Sequence, residues 1–259
     1  RGSADIEGAG TCLGRQDLHV HTTMSDGDLT LDEVVAVAAE LGVAVGVADH
    51  VSGRNRRLFI STIERLESYL AALEAAPVFR SAELCWCDPF AARLPRRLLD
   101  RFDYIIGSNH GFALPDGTFA SPWWNVLPPA WEGRADELME VMVHNLCDMV
   151  RSMPIDVAAH STMIPRALSD LEPDVLAWWT EDREDRFIES AVASGVAVEI
   201  SNRYRVPHQR FLRKALQAGA RFTLGSDGHH LEQVARLDWA EAAAREAGIG
   251  ELHLFVARR

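Results

Sequence analysis

The 259-residue chain lacks most of the features that would assign it at once to a class. No apolar run approaches the roughly 20 residues needed to cross a bilayer; residues 43–48 are among the longest. No basic stretch followed by an apolar one opens the chain, so no export signal is expected. The four cysteines, Cys12, Cys85, Cys87 and Cys147, have no framework spacing and are expected to be reduced thiols in a cytoplasmic protein. Positive charge is short: 26 Lys and Arg against 38 Asp and Glu leave a formal charge of -12. With no Lys/Arg cluster either, a stable nucleic-acid surface is disfavoured, because cations supply most of that affinity. No Gly-x-Gly-x-x-Gly follows the first strand, which removes the usual dinucleotide fingerprint. Internal repeats and low-complexity tracts are also missing. A small phosphorylated ligand survives these exclusions, since bound cations can provide the local positive charge.

The composition, 47% hydrophobic and 25% charged, is that of an ordinary globular chain. Its length can bury a core without disulfides. Residues 1–14, rich in Gly and Ala, are expected to be a leader or linker, and residues 15–259 one domain. From residue 16 onward, short apolar runs alternate with amphipathic stretches. Strands are predicted at 16–21, 43–48, 78–85, 104–107, 155–159, 196–200 and 222–224. Helices are predicted at 31–41 (closed by Gly42), 58–75, 134–153, 182–194, 207–218 and 231–247. Repeated βα units with continuous apolar strands indicate an α/β fold with a parallel sheet covered on both faces. About seven units favour closure into a TIM-like barrel over an open sheet. One connection, residues 111–133, is unusually long and holds Trp123, Trp124 and Trp131 among prolines and glycines. Such a loop either shapes binding or simply packs onto the barrel.

Polar residues concentrate where the predicted strands end. Asp17, His19 and His21 alternate along the first strand and share a face, because strand side chains have period 2. Asp49-His50 closes the second strand, Glu83 the third, Asn109-His110 the fourth and His160 the fifth. Asp227 and His229 follow the seventh. A single histidine at a strand end is ordinarily a satisfied polar residue. Here five of six such positions carry histidine and the other carries Glu83. In a parallel barrel these ends share one face, where active sites are assembled. So many imidazoles with a carboxylate are hard to bury unless a cation holds them. Imidazole with carboxylate suits Zn, Fe or Mn better than Ca or Mg.

The motifs Asp17-Leu18-His19-Val20-His21-Thr22-Thr23-Met24-Ser25-Asp26-Gly27, Asp49-His50 and Gly225-Ser226-Asp227-Gly228-His229 carry a family resemblance. With the isolated Glu83, His110 and His160, they resemble the PHP (polymerase and histidinol phosphatase) family from about residue 15 to 237. The resemblance implies a distorted (β/α)7 barrel, the PHP fold, with two or three divalent transition metal ions (Zn, Mn or Fe) and phosphoesterase activity. It assigns His19, His21, Glu83 and Asp227 to a first metal, and Asp26, His50 and His229 to a second. A third takes His110 and His160, with Glu83 bridging. Many relatives carry histidine where this chain has Asp26, and the anionic oxygen favours Mn.

The implied reaction uses metal-bound hydroxide as nucleophile, with no side-chain nucleophile. Arg166, Asn202, Arg203 and Arg205 are the candidates to clamp the phosphate. Asp17, Asp49 and Glu199 are expected to orient ligands from behind. Cys85-Trp86-Cys87 is read as core packing, His144 as structural, and His208 and His230 are left unassigned. The leading reading is a phosphatase for a small phosphorylated substrate, with no membrane or stable nucleic-acid partner. The alternatives are an exonuclease or nucleotide phosphodiesterase acting on nucleic-acid ends, and a metal-stabilised binding module without catalysis.

Overall fold

The computed structural model describes residues 15–257. Residues 1–14, expected to be a leader or linker, and Cys12 within them lie outside the described residues. The other three cysteines are free thiols.

The elements run β1 (Gln16–Val20), α1 (Leu31–Leu41), β2 (Ala44–Val47), β3 (His50–Val51), α2 (Ile63–Glu74), β4 (Phe79–Arg80), β5 (Glu83–Cys85), α3 (Arg96–Leu99) and β6 (Ile106–Ser108). After these come β7 (Phe112–Ala113), β8 (Phe119–Ala120), α4 (Ala135–Ser152), β9 (Val157–Ala158), α5 (Arg166–Ser169), α6 (Val175–Trp178) and α7 (Glu181–Ser194). The chain finishes with β10 (Ala197–Ser201), α8 (Gln209–Gln217), β11 (Phe222–Gly225) and α9 (Asp238–Ala247). Among the described residues, no helix is long and apolar enough to cross a membrane.

The expected α/β arrangement of parallel strands is present. One sheet orders β1-β2-β4 and a second orders β11-β10-β9-β6-β5-β3, and every pairing within them is parallel. The chain passes between the two sheets three times, from β2 into β3, from β3 through α2 into β4, and from β4 into β5. At the other edge Val20 bridges to Gly228, and His21 N donates to Gly228 O at 3.0 Å. Among the described residues the parallel ladder thus divides into two sheets, beside a separate antiparallel pair β7-β8, and does not form one continuous hydrogen-bonded ring.

Local chemistry explains the boundaries. At the start of α1, Thr30 accepts from Glu33 N and Glu33 returns a contact to Thr30 N at 2.8 Å. This capping box satisfies two free amides. Gly42, at φ 64°, ends the helix where the sequence predicted. The predicted strand 78–85 is instead two short strands in different sheets. The predicted helix 58–75 starts only at Ile63, capped by Thr62. Residues 231–237 are turns, not the first turns of α9.

A large apolar core lies between strands and helices, with Trp179, Phe187 and Phe211 fully buried together. A smaller cluster of Leu18, Phe79, Tyr104, Ile106, Val157 and Ala197 contains strand and flanking residues alone. Phe255 packs against it, edge-on to Tyr104.

Candidate metal centre

Three buried carboxylates brace the segments that carry the predicted ligands. Asp17 accepts from His19 N (3.2 Å) and Ser226 N (2.8 Å) through Oδ1, and from Ala235 N (3.0 Å) through Oδ2. It thereby ties β1 to the loop after β11. Asp49 accepts from Thr22 N (2.8 Å), Thr22 Oγ1 (2.7 Å) and Ser25 Oγ (2.5 Å), fixing the loop that presents Asp26. Burial pushes both carboxyls up to about 6 against these hydrogen bonds. Neither touches a predicted ligand ring by hydrogen bond, so their role is to hold backbone. Glu199 does reach a ring: Oε1 lies 2.5 Å from His19 Nδ1, while Oε2 accepts from His160 N at 2.8 Å. Gly225 leaves room for this contact, since a Cβ there would collide with the Glu199 carboxylate and His19 Cβ. His160 and Asp227 adopt positive φ, 31° and 49°. That is a strained choice for non-glycine residues and is characteristic of functional sites.

The nine predicted ligand residues converge in three overlapping groups. In the first, His19 Nε2 and His21 Nε2 are 3.1 Å apart, and Glu83 Oε2 is 3.6 Å from each. Asp227 Oδ1 completes it, 3.2 Å from His21 Nε2 and 3.9 Å from His19 Nε2. In the second, Asp26 lies 3.5 Å from both His50 Nε2 and His229 Nε2, with His21 Nδ1 at 3.8 Å. In the third, Glu83 Oε1 is 3.4 Å from His110 Nε2 and 3.3 Å from His160 Nε2, and those nitrogens are 3.4 Å apart. Glu83 also lies 2.8 Å from His50 Nδ1, so one carboxylate touches all three groups.

This donor set fits cations. Nitrogen atoms of different rings face one another where at most one can donate. His21 Nδ1 is buried with no hydrogen-bond partner. His50 Nδ1 makes no hydrogen bond to Glu83 in spite of its proximity. Burial disfavours a charged His19, yet Glu199, Glu83 and Asp227 more than offset it and raise its pKa well above the ordinary value. Burial and the neighbouring His50 push His21 down to about 3. Burial would raise the Glu83 and Asp227 carboxyls, but the surrounding imidazoles hold both well below the carboxylate range. Mixed imidazole and carboxylate donors suit Zn, Mn or Fe. Glu199 occupies Nδ1 of His19 and so leaves Nε2 to face the cluster, the usual device for orienting a ligating histidine.

The cluster opens into a cavity of about 340 Å³. Of the four residues predicted to clamp phosphate, Arg203 lines it and donates to Asp227 O at 3.2 Å. Arg166 lines a neighbouring cavity instead. Asn202 accepts from Trp239 N (2.9 Å) and Ala240 N (3.1 Å), so it serves the start of α9 and not the site. Arg205 lines neither cavity. Arg54, Phe59 and Tyr204, which sequence reasoning passed over, line the cavity too, as does Cys85, which it read as core packing.

Cys85 had a readable signal, because it follows Glu83 by two and shares its strand face. Its sulfur lies 3.4 Å from His110 Nδ1. Burial raises this thiol, but the imidazoles of His110 and His50 bring it down to about 6. Buried as expected, the thiol also faces the imidazoles of His110 and His50. Trp86 does pack as expected, donating to Asn145 Oδ1 at 2.8 Å. Asn145 also exchanges hydrogen bonds with Ala113, which fixes the start of the long loop. His144 is exposed beside Asp148, while His208 pairs with Glu184 and His230 with Asp28.

No family model matches the chain, and no curated protein matches it. Among solved structures, histidinol phosphate phosphatase from Lactococcus lactis subsp. lactis Il1403, complexed with Zn, L-histidinol and phosphate, is similar over 92% of this chain and 95% of its own. The TM-score is 0.67 and the identity 16%. A protein from Bifidobacterium adolescentis described as a metal-dependent phosphoesterase covers 91% of this chain and 97% of its own, at TM-score 0.33 and 16% identity. An HpcH/HpaI aldolase from Desulfitobacterium hafniense covers 90% and 92%, at 0.39 and 14%. The last two scores are too low to carry an argument. The first shows the fold class alone: α/β with parallel strands, as in a neighbour of TIM-barrel type. Within that class, the likeness supports the PHP-like fold that the motifs implied.

Proposed function

We propose that the chain is a metal-dependent phosphoesterase that hydrolyses a small-molecule phosphomonoester at a di- or trinuclear centre. The observation that carries this reading is Glu83, one buried carboxylate in contact with all three imidazole–carboxylate groups. His19, His21, Glu83 and Asp227 would hold a first ion, Asp26, His50 and His229 a second, and His110 and His160, with Glu83, a third. The Zn and phosphate bound by the Lactococcus lactis phosphatase support the same chemistry on a similar fold. In our reading the strands make seven positions of a distorted barrel, with residues 15–259 as one unit.

Bound cations would polarise phosphate oxygens and supply hydroxide near neutral pH. The chain's own residues do the rest. Glu199 keeps His19 in the tautomer that presents Nε2. Asp17 and Asp49 hold the loops bearing Asp227 and Asp26 in place. The guanidinium groups of Arg203 and Arg54, at the cavity wall, bind non-bridging oxygens and offset the charge of the ester. Trp123, Tyr204 and Phe59 cover the mouth and limit water.

The test is a panel of phosphomonoesters, phosphodiesters and short oligonucleotides, offered to protein stripped with chelator and then reloaded with Mn, Zn or Fe. Phosphate release from monoesters that depends on reloading is expected. Nucleotide release from oligonucleotide ends would favour the exonuclease reading. An absence of both, with no metal retained by elemental analysis, would leave neither standing.

A further inference from the structure

A second cavity of about 380 Å³ adjoins the metal cavity, and the two share Trp123, Arg203 and Tyr204 as lining. The two rings stand directly beside the third group of ligands. Tyr204 packs edge-on to His160 with centroids 5.3 Å apart, and Trp123 lies 5.8 Å from His110 and 5.9 Å from Tyr204. They form the partition between the cavities. Beyond it the walls are largely apolar, from Pro122, Met163 and Ile164, and Arg166 is the cation there besides the shared Arg203.

Of the three arginines that line the two cavities, Arg54 lies beside Asp88 and Arg203 beside Asp227, while Arg166 differs. The chain has 38 acidic residues for 26 basic ones, so an arginine has carboxylates in excess to choose from. Arg183, Arg186 and Arg210 all pair with them. Among the described residues no carboxylate pairs with Arg166; its Nη1 donates to the amide oxygen of Asn125 at 3.3 Å. A surface arginine without a partner is commonplace. One held by a neutral amide at the wall of a largely apolar cavity, beside the cavity that the ligand cluster lines, keeps further N–H groups of its fork for an anion.

We propose that the substrate is a phosphomonoester with a second anionic group, a carboxylate or a further phosphate, joined to the ester by a planar or apolar body. The body passes between Trp123 and Tyr204, and the second anion pairs with Arg166. This rests on the phosphoesterase reading for the first anion, and adds to it the chemical class of the leaving half. Aromatic rings beside a few converging polar groups are the usual build of a small-molecule pocket. The geometry also gives Arg203 a place at both ends, because it lines both cavities.

The experiment is calorimetric titration of manganese-loaded protein with three ligands that cannot be hydrolysed: phenylphosphonate, 4-carboxyphenylphosphonate and 1,4-phenylenediphosphonate. The ligands with a second anion should bind about tenfold tighter than phenylphosphonate, the scale of one charge-assisted hydrogen bond. Whichever of the two gains more identifies the group as carboxylate or phosphate. In Arg166→Gln the ratio between singly and doubly anionic ligands should fall to about one. Trp123→Ala should weaken all three together and leave that ratio in place. Equal affinity for all three in the wild type, a ratio that survives in Arg166→Gln, or no binding of any ligand would each overturn the proposal. Release of phosphate from phenyl phosphate by the wild type tests the phosphoesterase reading separately. The binding ratio reports on the second cavity whether or not turnover occurs.

Discussion

At one end of the sheets, just before β6 and β9, Asp103 accepts from Arg80 through both oxygens at 2.5 and 3.2 Å, and Asp156 accepts from Ile105 N at 2.9 Å. At the other end, His19, His21, His50, His110 and His160 turn ring nitrogens towards one another and towards Glu83. Both ends carry charged side chains with little exposure, yet only the first closes its own hydrogen-bond account. The difference separates structure from function more clearly than burial or charge does. A paired cluster is complete without a ligand, whereas an unpaired convergence of donors has room for one.

That contrast can be broken at either end. The largest effect is expected at Glu83. Glu83→Gln should remove most bound metal and cut phosphate release by more than about a hundredfold, beyond the range of residues that act only through a ligand. His144→Ala, on the exposed face of α4, should leave metal content and rate near wild type. Elemental analysis beside a steady-state assay checks both, and equal metal in the two variants would dissolve the contrast. Next comes Glu199→Gln, which weakens the hold on His19. A loss of roughly ten- to a hundredfold in metal affinity is expected from competition with a chelating dye.

At the opposite end, Asp103→Asn should lower stability by about 2 kcal/mol in urea unfolding, the scale of hydrogen bonds to a charged group. Metal content should be unaffected; any loss of metal would show that the paired end also serves the site. The smallest effect concerns Glu184, paired with His208 (2.6 Å), Arg210 (3.0 Å) and Lys214 (3.3 Å). Burial raises its carboxyl, but hydrogen bonds from His208 and Arg210 outweigh that and hold it below the ordinary glutamate value. A carboxyl so lowered stabilises the fold above the ordinary range and loses that contribution as pH falls through its own lower value. Glu184→Gln should therefore unfold earlier in urea than the wild type at pH 7, and the gap should narrow as pH drops below about 4.

How much of this was legible depended on whether the signal was periodic. His19 and His21 share a face because of period 2, and the helix at 31–41 announced itself through its apolar spacing and Gly42. Asp49-His50 and Asp227-x-His229 stood at strand ends and were found there. The break between Arg80 and Glu83 was invisible, because residues on both sides are apolar or buried and a backbone bend leaves no periodic trace. Residues 231–237 have helical spacing, but Gln233 Oε1 accepts from His229 N at 2.9 Å, so the segment serves the loop that carries a predicted ligand. The substrate side was least readable. Arg203 reached the cavity and Arg205, two residues on, did not, since a turn with Arg205 at φ 55° separates them. Arg54 and Tyr204 came in from loops whose paths the sequence pattern does not fix.

Glu199 carries one consequence beyond orientation. Its two oxygens belong to different parts of the centre, one on the His19 ring and the other on the His160 backbone. A movement that draws His19 onto an ion is felt at His160 through a single rigid carboxylate. In the proposed centre, occupancies on the two sides would then be thermodynamically linked, and by reciprocity each would raise the affinity of the other by the same factor. Loading should be cooperative, with partly filled protein rarer than independent sites would give, and a chelator should empty the linked positions together.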